Sequence, residues 1–79
     1  MSTLTTHRLD TEALFLAIFA RAFKQGVTLR HVAAQVGVSA STITRIKQGR
    51  CPDADGLLSL LVWLERGAEE FTVPNVVLP

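Results

Sequence analysis

Helix-start and helix-stop residues alternate through the middle of the chain, and their spacing limits the fold more than any other feature. Thr28 and Ser39 are of the types that cap helix N-termini, and a glycine follows each of the two apolar stretches they precede. This order predicts two short helices, over residues 29–36 and 40–48, with three residues between them. Two short helices joined by so short a link must cross at a steep angle.

The residue types within this segment suit such a crossing. Ala33 is small, so the backbones of the two helices can approach each other closely. Gly37 can adopt the left-handed conformation that the turn needs without a steric cost. Apolar residues at helical spacing predict a buried wedge between the helices. Its members are Val32, Val36, Val38, Ile43 and Ile46.

Similar signals predict longer helices on either side. The first helix begins at Asp10 or Thr11, ends near Lys24, and carries two apolar stripes. We expect a small domain to bury the stripe of Leu14, Phe15, Ile18 and Ala22, and not to bury fully the stripe of Leu16, Phe19 and Phe23. The fourth helix covers about residues 54–65, and residues 68–71 form one more turn. The side of the fourth helix that faces the core consists of Leu57, Leu60, Leu61 and Leu64.

The run from Thr28 to Arg50, with the Pro52-Asp-Ala-Asp-Gly-Leu that follows, resembles the helix-turn-helix of the Cro and phage-repressor family, often called XRE-type. The resemblance covers about residues 10–70. It implies an all-α fold, a compact bundle of four to five helices that contains the helix-turn-helix. It also implies binding to operator DNA, usually as a homodimer, with no catalysis and no cofactor.

The 79 residues suit a single domain with two extensions. We expect a flexible N-terminal arm over residues 1–9, the DNA-binding domain over residues 10–71, and an extended apolar tail over residues 72–79. Pro74 and Pro79 oppose a helix in the tail. We predict no internal strand, although the tail could add a strand to a partner or dock in a groove.

The charges divide the chain into a basic middle and two acidic ends, although the net charge is only +1. No acidic residue lies between Glu12 and Asp53, whereas residues 51–79 hold five acidic residues and one arginine. This asymmetry is typical of a nucleic-acid-binding face, and an unevenly charged solvated surface is the alternative. The basic residues of the middle are Arg21, Lys24, Arg30, Arg45, Lys47 and Arg50.

One side of the predicted third helix has no acidic and no large apolar residue. Ile43 and Ile46 define its buried side, and hydrogen-bonding side chains fall opposite. Arg45 suits a bidentate contact with a guanine, and Gln48 suits an adenine or, equally, a phosphate. Ser41, near the N-terminal end, should lie deep in the major groove. The predicted base contacts are Ala40, Ser41, Thr44, Arg45 and Gln48.

Other residues suit the phosphate backbone, where contacts set register and affinity without reading sequence. The family positions that match Thr28 and Thr42 commonly contact phosphate, and both keep a hydroxyl group here. Leu29 departs from the family, because many relatives have a glutamine there that braces the backbone contact. The predicted phosphate contacts are Thr28, Arg30, Thr42, Lys47 and Arg50.

Apolar residues left outside the predicted core indicate a partner surface. A short recognition helix makes few base contacts, each worth about 1–3 kcal/mol. A two-fold homodimer with half-sites about one helical turn apart would supply the remaining base contacts. The tail could equally fold back on its own domain. The candidate surface consists of Leu16, Phe19, Phe23, Trp63, Val76, Val77 and Leu78.

Several function classes find no support in the residues. His7 and His31 have no further ligand at metal-binding spacing, and Cys51 has no partner for an internal disulfide. No catalytic constellation and no phosphate-binding glycine loop is present, so we expect no enzyme, no metal and no cofactor. No apolar run reaches the roughly 18 residues of a membrane span, and no signal-peptide pattern opens the chain. We expect a cytoplasmic protein.

Two functions remain open. The first is sequence-specific binding of double-stranded DNA, as a transcriptional regulator or phage-type repressor in a bacterial or phage-infected cell. The second is a protein-interaction module, such as an antitoxin or a phage-encoded modulator, that uses the same fold to bind a protein. The first predicts an affinity that falls steeply with salt, and the second predicts binding that survives high salt.

Overall fold

The computed structural model describes the backbone of residues 4–77 and the side chains of residues 6–75. Within this range the chain is mostly helical, and a two-stranded sheet joins its ends. In chain order the elements are β1 (Leu4–Leu9), α1 (Thr11–Gln25), α2 (Leu29–Val36), α3 (Ala40–Lys47), α4 (Ala54–Leu64), a 3-10 helix (Ala68–Phe71) and β2 (Thr72–Val77).

Each α-helix begins where a short polar side chain can accept a hydrogen bond from the first turn. Asp10, Thr28, Ser39 and Asp53 are these N-cap residues. The bond from the His31 backbone N–H to the Thr28 hydroxyl, for example, is 3.0 Å long. Such caps satisfy backbone donors that have no partner inside a helix. The predicted helix bounds therefore agree with the structure to within about one residue.

The link between α2 and α3 consists of three residues, as the sequence predicts. Gly37 ends α2 in the left-handed region, with a φ of 90°, and its N–H donates to the Ala33 carbonyl over 2.9 Å. A residue with a side chain would be strained at this φ. Ser39 then caps α3, so the chain changes direction within the link.

The core lies between the four α-helices and the 3-10 helix. Most of the predicted inward residues are buried, while Phe15, Val36, Val38 and Leu57 are half-buried at its border. Phe71 is 2% exposed and is the largest of the fully buried side chains, although the sequence predicts only a turn there. The buried side chains are Leu14, Ile18, Ala22, Val32, Ala33, Ile43, Ile46, Leu60, Leu61, Leu64 and Phe71.

The prediction of an all-α fold is wrong, because the two ends of the chain pair as antiparallel strands. Leu4 lies opposite Val77, and Leu9 lies opposite Thr72. The sequence predicts a flexible arm up to residue 9, but residues 4–9 form β1. Residues 72–77 are extended as predicted, and they pair with the chain's own first strand. We call these two strands the terminal ribbon.

The terminal ribbon makes the molecule elongated. The principal dimensions are 51 × 20 × 19 Å. The longest helix has 15 residues and therefore spans only about 22 Å. Each strand has six residues, or about 20 Å of extended chain. The long dimension thus requires that the terminal ribbon extends beyond the helices rather than lying across them.

Candidate nucleic-acid interface

The two isoleucines of α3 fix which side of this helix meets solvent. Ile43 and Ile46 are each 1% exposed, and both lie in the core formed with α1, α2 and α4. Because a helix places residues at 100° intervals, Ser41 and Arg45 point away from that core, and both are exposed. This is the arrangement that the sequence predicts for α3.

The five predicted base-contact residues come together on one surface. All five are exposed, and together they line a shallow, open depression along the outer side of α3. No acidic side chain and no large apolar side chain lines this depression. We call it the α3 face. Its members are Ala40, Ser41, Thr44, Arg45 and Gln48.

Most polar groups of the α3 face are free to bind another molecule. The Thr44 hydroxyl donates to the Ala40 carbonyl oxygen over 3.3 Å, and its oxygen can still accept a hydrogen bond. Within the part of the chain that the structure describes, the side chains of Ser41, Arg45 and Gln48 make no hydrogen bond. The α3 face therefore offers both donors and acceptors, which is the chemistry that base edges require.

The predicted phosphate contacts lie in several places. Thr28 and Arg30 are exposed at the N-terminal end of α2, where the Thr28 hydroxyl already accepts from the His31 N–H. Arg50 is exposed just beyond α3. The Lys47 ammonium group lies 5.8 Å from the centre of the Phe15 ring, so this side chain leans toward α1. Two of these residues therefore lie at the start of α2, and two lie at or just beyond the end of α3.

Thr42 lies in a different environment from the other predicted phosphate contacts. Its hydroxyl is 2.9 Å from that of Ser39, and the two residues line a depression with Asp53 and Asp55 at the start of α4. Carboxylates repel a phosphate, so this end of α3 is less suited to the DNA backbone. The sequence does not reveal the neighbourhood of Thr42, because it depends on how α4 packs against the α2–α3 link.

The basic residues near α3 are not neutralised by ion pairs within the described part of the chain. Its two ion pairs are Arg21–Glu65, with an N–O distance of 3.4 Å, and Arg66–Glu70, with a distance of 2.8 Å. Both lie at the end of α4. Arg45 and Arg50 therefore keep their charge available for an anionic ligand.

The described side chains of the predicted partner surface lie on α1 and α4. Leu16, Phe19 and Phe23 lie on the outer side of α1 and are 57, 49 and 79% exposed. Trp63 is half-buried, and the Arg21 guanidinium lies 5.3 Å from its ring centre. Val76 and Val77 belong to β2, but the structure does not describe their side chains. Leu78 lies outside the described residues.

Two exposed apolar residues were not predicted for a surface. Leu58 and Val62, on α4, are 59 and 77% exposed. They line a groove beside α2 with Val36 and Trp63. Their helical spacing of four gives the same signal as a buried stripe, so the sequence does not distinguish them from core residues.

The described residues contain no group of three or more side chains that could hold a metal ion. His7 and His31 are both exposed. Within residues 4–77, no helix combines the length and the hydropathy that a membrane crossing requires.

No protein-family model matches this chain, and neither a curated protein nor a solved structure is similar enough to count as a match. Any functional conclusion therefore rests on the residues and their arrangement.

Proposed function

We propose that this protein binds double-stranded DNA sequence-specifically, with α2 and α3 acting as a helix-turn-helix and α3 lying in the major groove. One observation carries the proposal. Ile43 and Ile46 hold α3 against the core, and its opposite side presents only hydrogen-bonding or small side chains. The major groove is about 12 Å wide and admits an α-helix whose exposed side chains meet base edges.

Arg45 has the central role in this proposal. It is exposed on the α3 face and forms no ion pair there. A guanidinium group can donate two hydrogen bonds to a guanine, at its O6 and N7 atoms. Ser41 and Gln48 lie about one turn to either side, so they would meet neighbouring base pairs.

Charge favours one end of α3 for contacts with the DNA backbone. Arg45, Lys47 and Arg50 lie in or beyond its second half, whereas Asp53 and Asp55 lie beside its first turns. Phosphates are attracted to the first group and repelled by the second. We therefore assign phosphate contacts to Lys47 and Arg50, with Thr28 and Arg30 at the start of α2. Thr42 is the weakest of the phosphate candidates.

The biological role that fits this interface is that of a small transcriptional regulator or phage-type repressor. A single α3 presents few base-reading side chains, so two copies on adjacent half-sites would supply the remaining specificity. The operator DNA that such a role requires lies in the cytoplasm of a bacterial or phage-infected cell.

Selection of binding sites from random DNA, followed by titration of the selected site, tests the proposal. We expect one enriched sequence with half-sites about one helical turn apart. Arg45→Ala should lower the affinity about 5- to 150-fold, equivalent to about 1–3 kcal/mol, and relax the selection at one base pair. Affinity should fall steeply as the salt concentration rises.

Lys24→Ala is the matched control, because it removes the same charge from an exposed position on α1. Its affinity for the selected site should stay close to that of the unaltered protein. If Arg45→Ala binds as tightly and as selectively as Lys24→Ala, α3 does not read the DNA and the proposal fails.

A second candidate function is that of a protein-interaction module. The exposed outer side of α1 favours it, because contiguous exposed apolar side chains commonly mark interaction sites. This function predicts that random DNA yields no enriched sequence. It also predicts a protein complex that persists at high salt and that is weakened by Phe19→Ser but not by Arg45→Ala.

A further inference from the structure

The terminal ribbon is an incomplete sheet. It has two strands, and it extends beyond the helices rather than packing across them. An isolated pair of strands is at best marginally stable in water, and three or more strands are usually needed. Each strand also presents a row of backbone groups on its outer edge, which is a template for pairing with another chain.

The alternation of hydrogen-bonded and non-hydrogen-bonded residue pairs along the ribbon shows which backbone groups point outward. The Asp10 N–H donates to the Phe71 carbonyl oxygen over 2.6 Å, which makes these two residues a hydrogen-bonded pair. Such pairs alternate with non-bonded ones along antiparallel strands. Arg8–Val73 and Thr6–Asn75 are therefore bonded pairs, and in the pair His7–Pro74 the backbone groups point away from the partner strand.

The two outer edges consequently differ. On β2 the outward position at residue 74 is a proline, which has no N–H and interrupts the row of donors. On β1 the outward positions are Thr5, His7 and Leu9, and each has both an N–H and a carbonyl group. Proline on an edge is one of the features that prevent strand pairing, so only the β1 edge is complete.

We propose that two copies of this chain join through their β1 edges and form a four-stranded antiparallel sheet, with the two-fold axis beside His7. A two-fold contact must be self-complementary. The β1 edge meets this condition, because its three outward residues are symmetric about His7. Thr5 would pair with Leu9 of the partner subunit, and His7 with His7 of the partner subunit. The outward N–H and carbonyl groups of the two β1 strands then all form hydrogen bonds.

This contact gives the proposed DNA-binding function its second subunit, but it does not depend on DNA. The terminal ribbon and the α3 face have no residue in common, so the proposed contact uses none of the DNA-reading side chains. The dimer can therefore be measured without DNA, and a failure here leaves the Arg45 experiment unaffected.

His7→Pro tests the contact by removing the central outward N–H of β1. That N–H is not used within the ribbon, and Thr6 is already extended, as a residue before proline must be. Val76→Pro is the matched control, since it removes an outward N–H from β2, as Pro74 already does. By sedimentation at several concentrations, the unaltered protein and Val76→Pro should be dimers and His7→Pro a monomer.

Amide hydrogen exchange of the unaltered protein provides a second measurement. The His7 and Leu9 N–H groups should exchange slowly at concentrations where the protein is dimeric and quickly after dilution. The Arg8 N–H, which is bonded within the ribbon, should not change in this way. A monomeric unaltered protein, a dimeric His7→Pro, or fast exchange at His7 in the dimer would each overturn the proposal. Loss of the dimer in Val76→Pro alone would place the contact on β2 instead.

Discussion

Helices α1 and α3 bury one side in the same core, yet their outer sides are chemically opposite. α1 presents Leu16, Phe19 and Phe23 to solvent, whereas the corresponding side of α3 includes Ser41 and Arg45. Folding requires only the inner side of each helix, so the outer side is free to serve another purpose. The outer side of α1 is therefore an apolar surface, and that of α3 is a polar one that carries a positive charge at Arg45.

Helices α1 and α3 also contact each other beside these outer sides. The rings of Phe15 and Phe19 stack with their centres 6.2 Å apart, and the Lys47 ammonium group of α3 lies above Phe15. A cation held over an aromatic ring gains about 0.5–1 kcal/mol at an exposed site.

The largest expected effect is on the free energy of unfolding, when a side chain is removed from the inner rather than the outer side of a helix. Ile46→Ala removes a side chain that is 1% exposed, and it should lower the free energy of unfolding by about 2–5 kcal/mol. Leu16→Ala removes a similar volume from a position that is 57% exposed, so we expect a loss below about 1 kcal/mol. Urea unfolding of both variants measures the difference, and equal losses would contradict this comparison.

A smaller effect should come from the link that sets the position of α3. Gly37→Ala places a Cβ atom at a φ of 90° and should destabilise the fold by about 1–2 kcal/mol. Gly26→Ala, at a φ of 69° after α1, should lower stability by a similar amount.

The two glycine variants differ in their expected DNA binding. Gly37→Ala should weaken binding to the selected site further than its stability loss explains, because it disturbs the link to α3. Gly26→Ala should bind normally once folded. Fluorescence titration with the site identified by selection compares them, and equal affinities would show that this link does not set the α3 geometry.

The helices and most of the core could be predicted because their signals are local. Caps such as Ser39 and apolar residues at helical spacing act within one or two turns of the chain. The terminal ribbon could not be predicted in this way, since Thr6 and Asn75 are 69 residues apart in sequence and β1 has no strong alternation of apolar and polar residues. Phe71 became a core residue only because the ribbon and the 3-10 helix bring it back to α1.

The candidate site likewise has one part that could be predicted from the sequence and one part that could not. The α3 face follows from the period of a single helix, so all five of its residues could be predicted together. The carboxylates of Asp53 and Asp55 beside Thr42 depend on the packing of α4. Tertiary neighbours of that kind leave no pattern in a single sequence.

The smallest expected effect tests whether the outer side of α1 contributes to folding at all. Phe23 is 79% exposed, so Phe23→Ser should change the free energy of unfolding by no more than about 0.5 kcal/mol. Arg45→Ala, on the outer side of α3, should be equally neutral for stability. If thermal unfolding instead shows a loss above about 1 kcal/mol for Phe23→Ser alone, the ring is packed in solution. The apolar side of α1 would then be covered, by the chain itself or by a second copy, and of these two outer sides only that of α3 would be free.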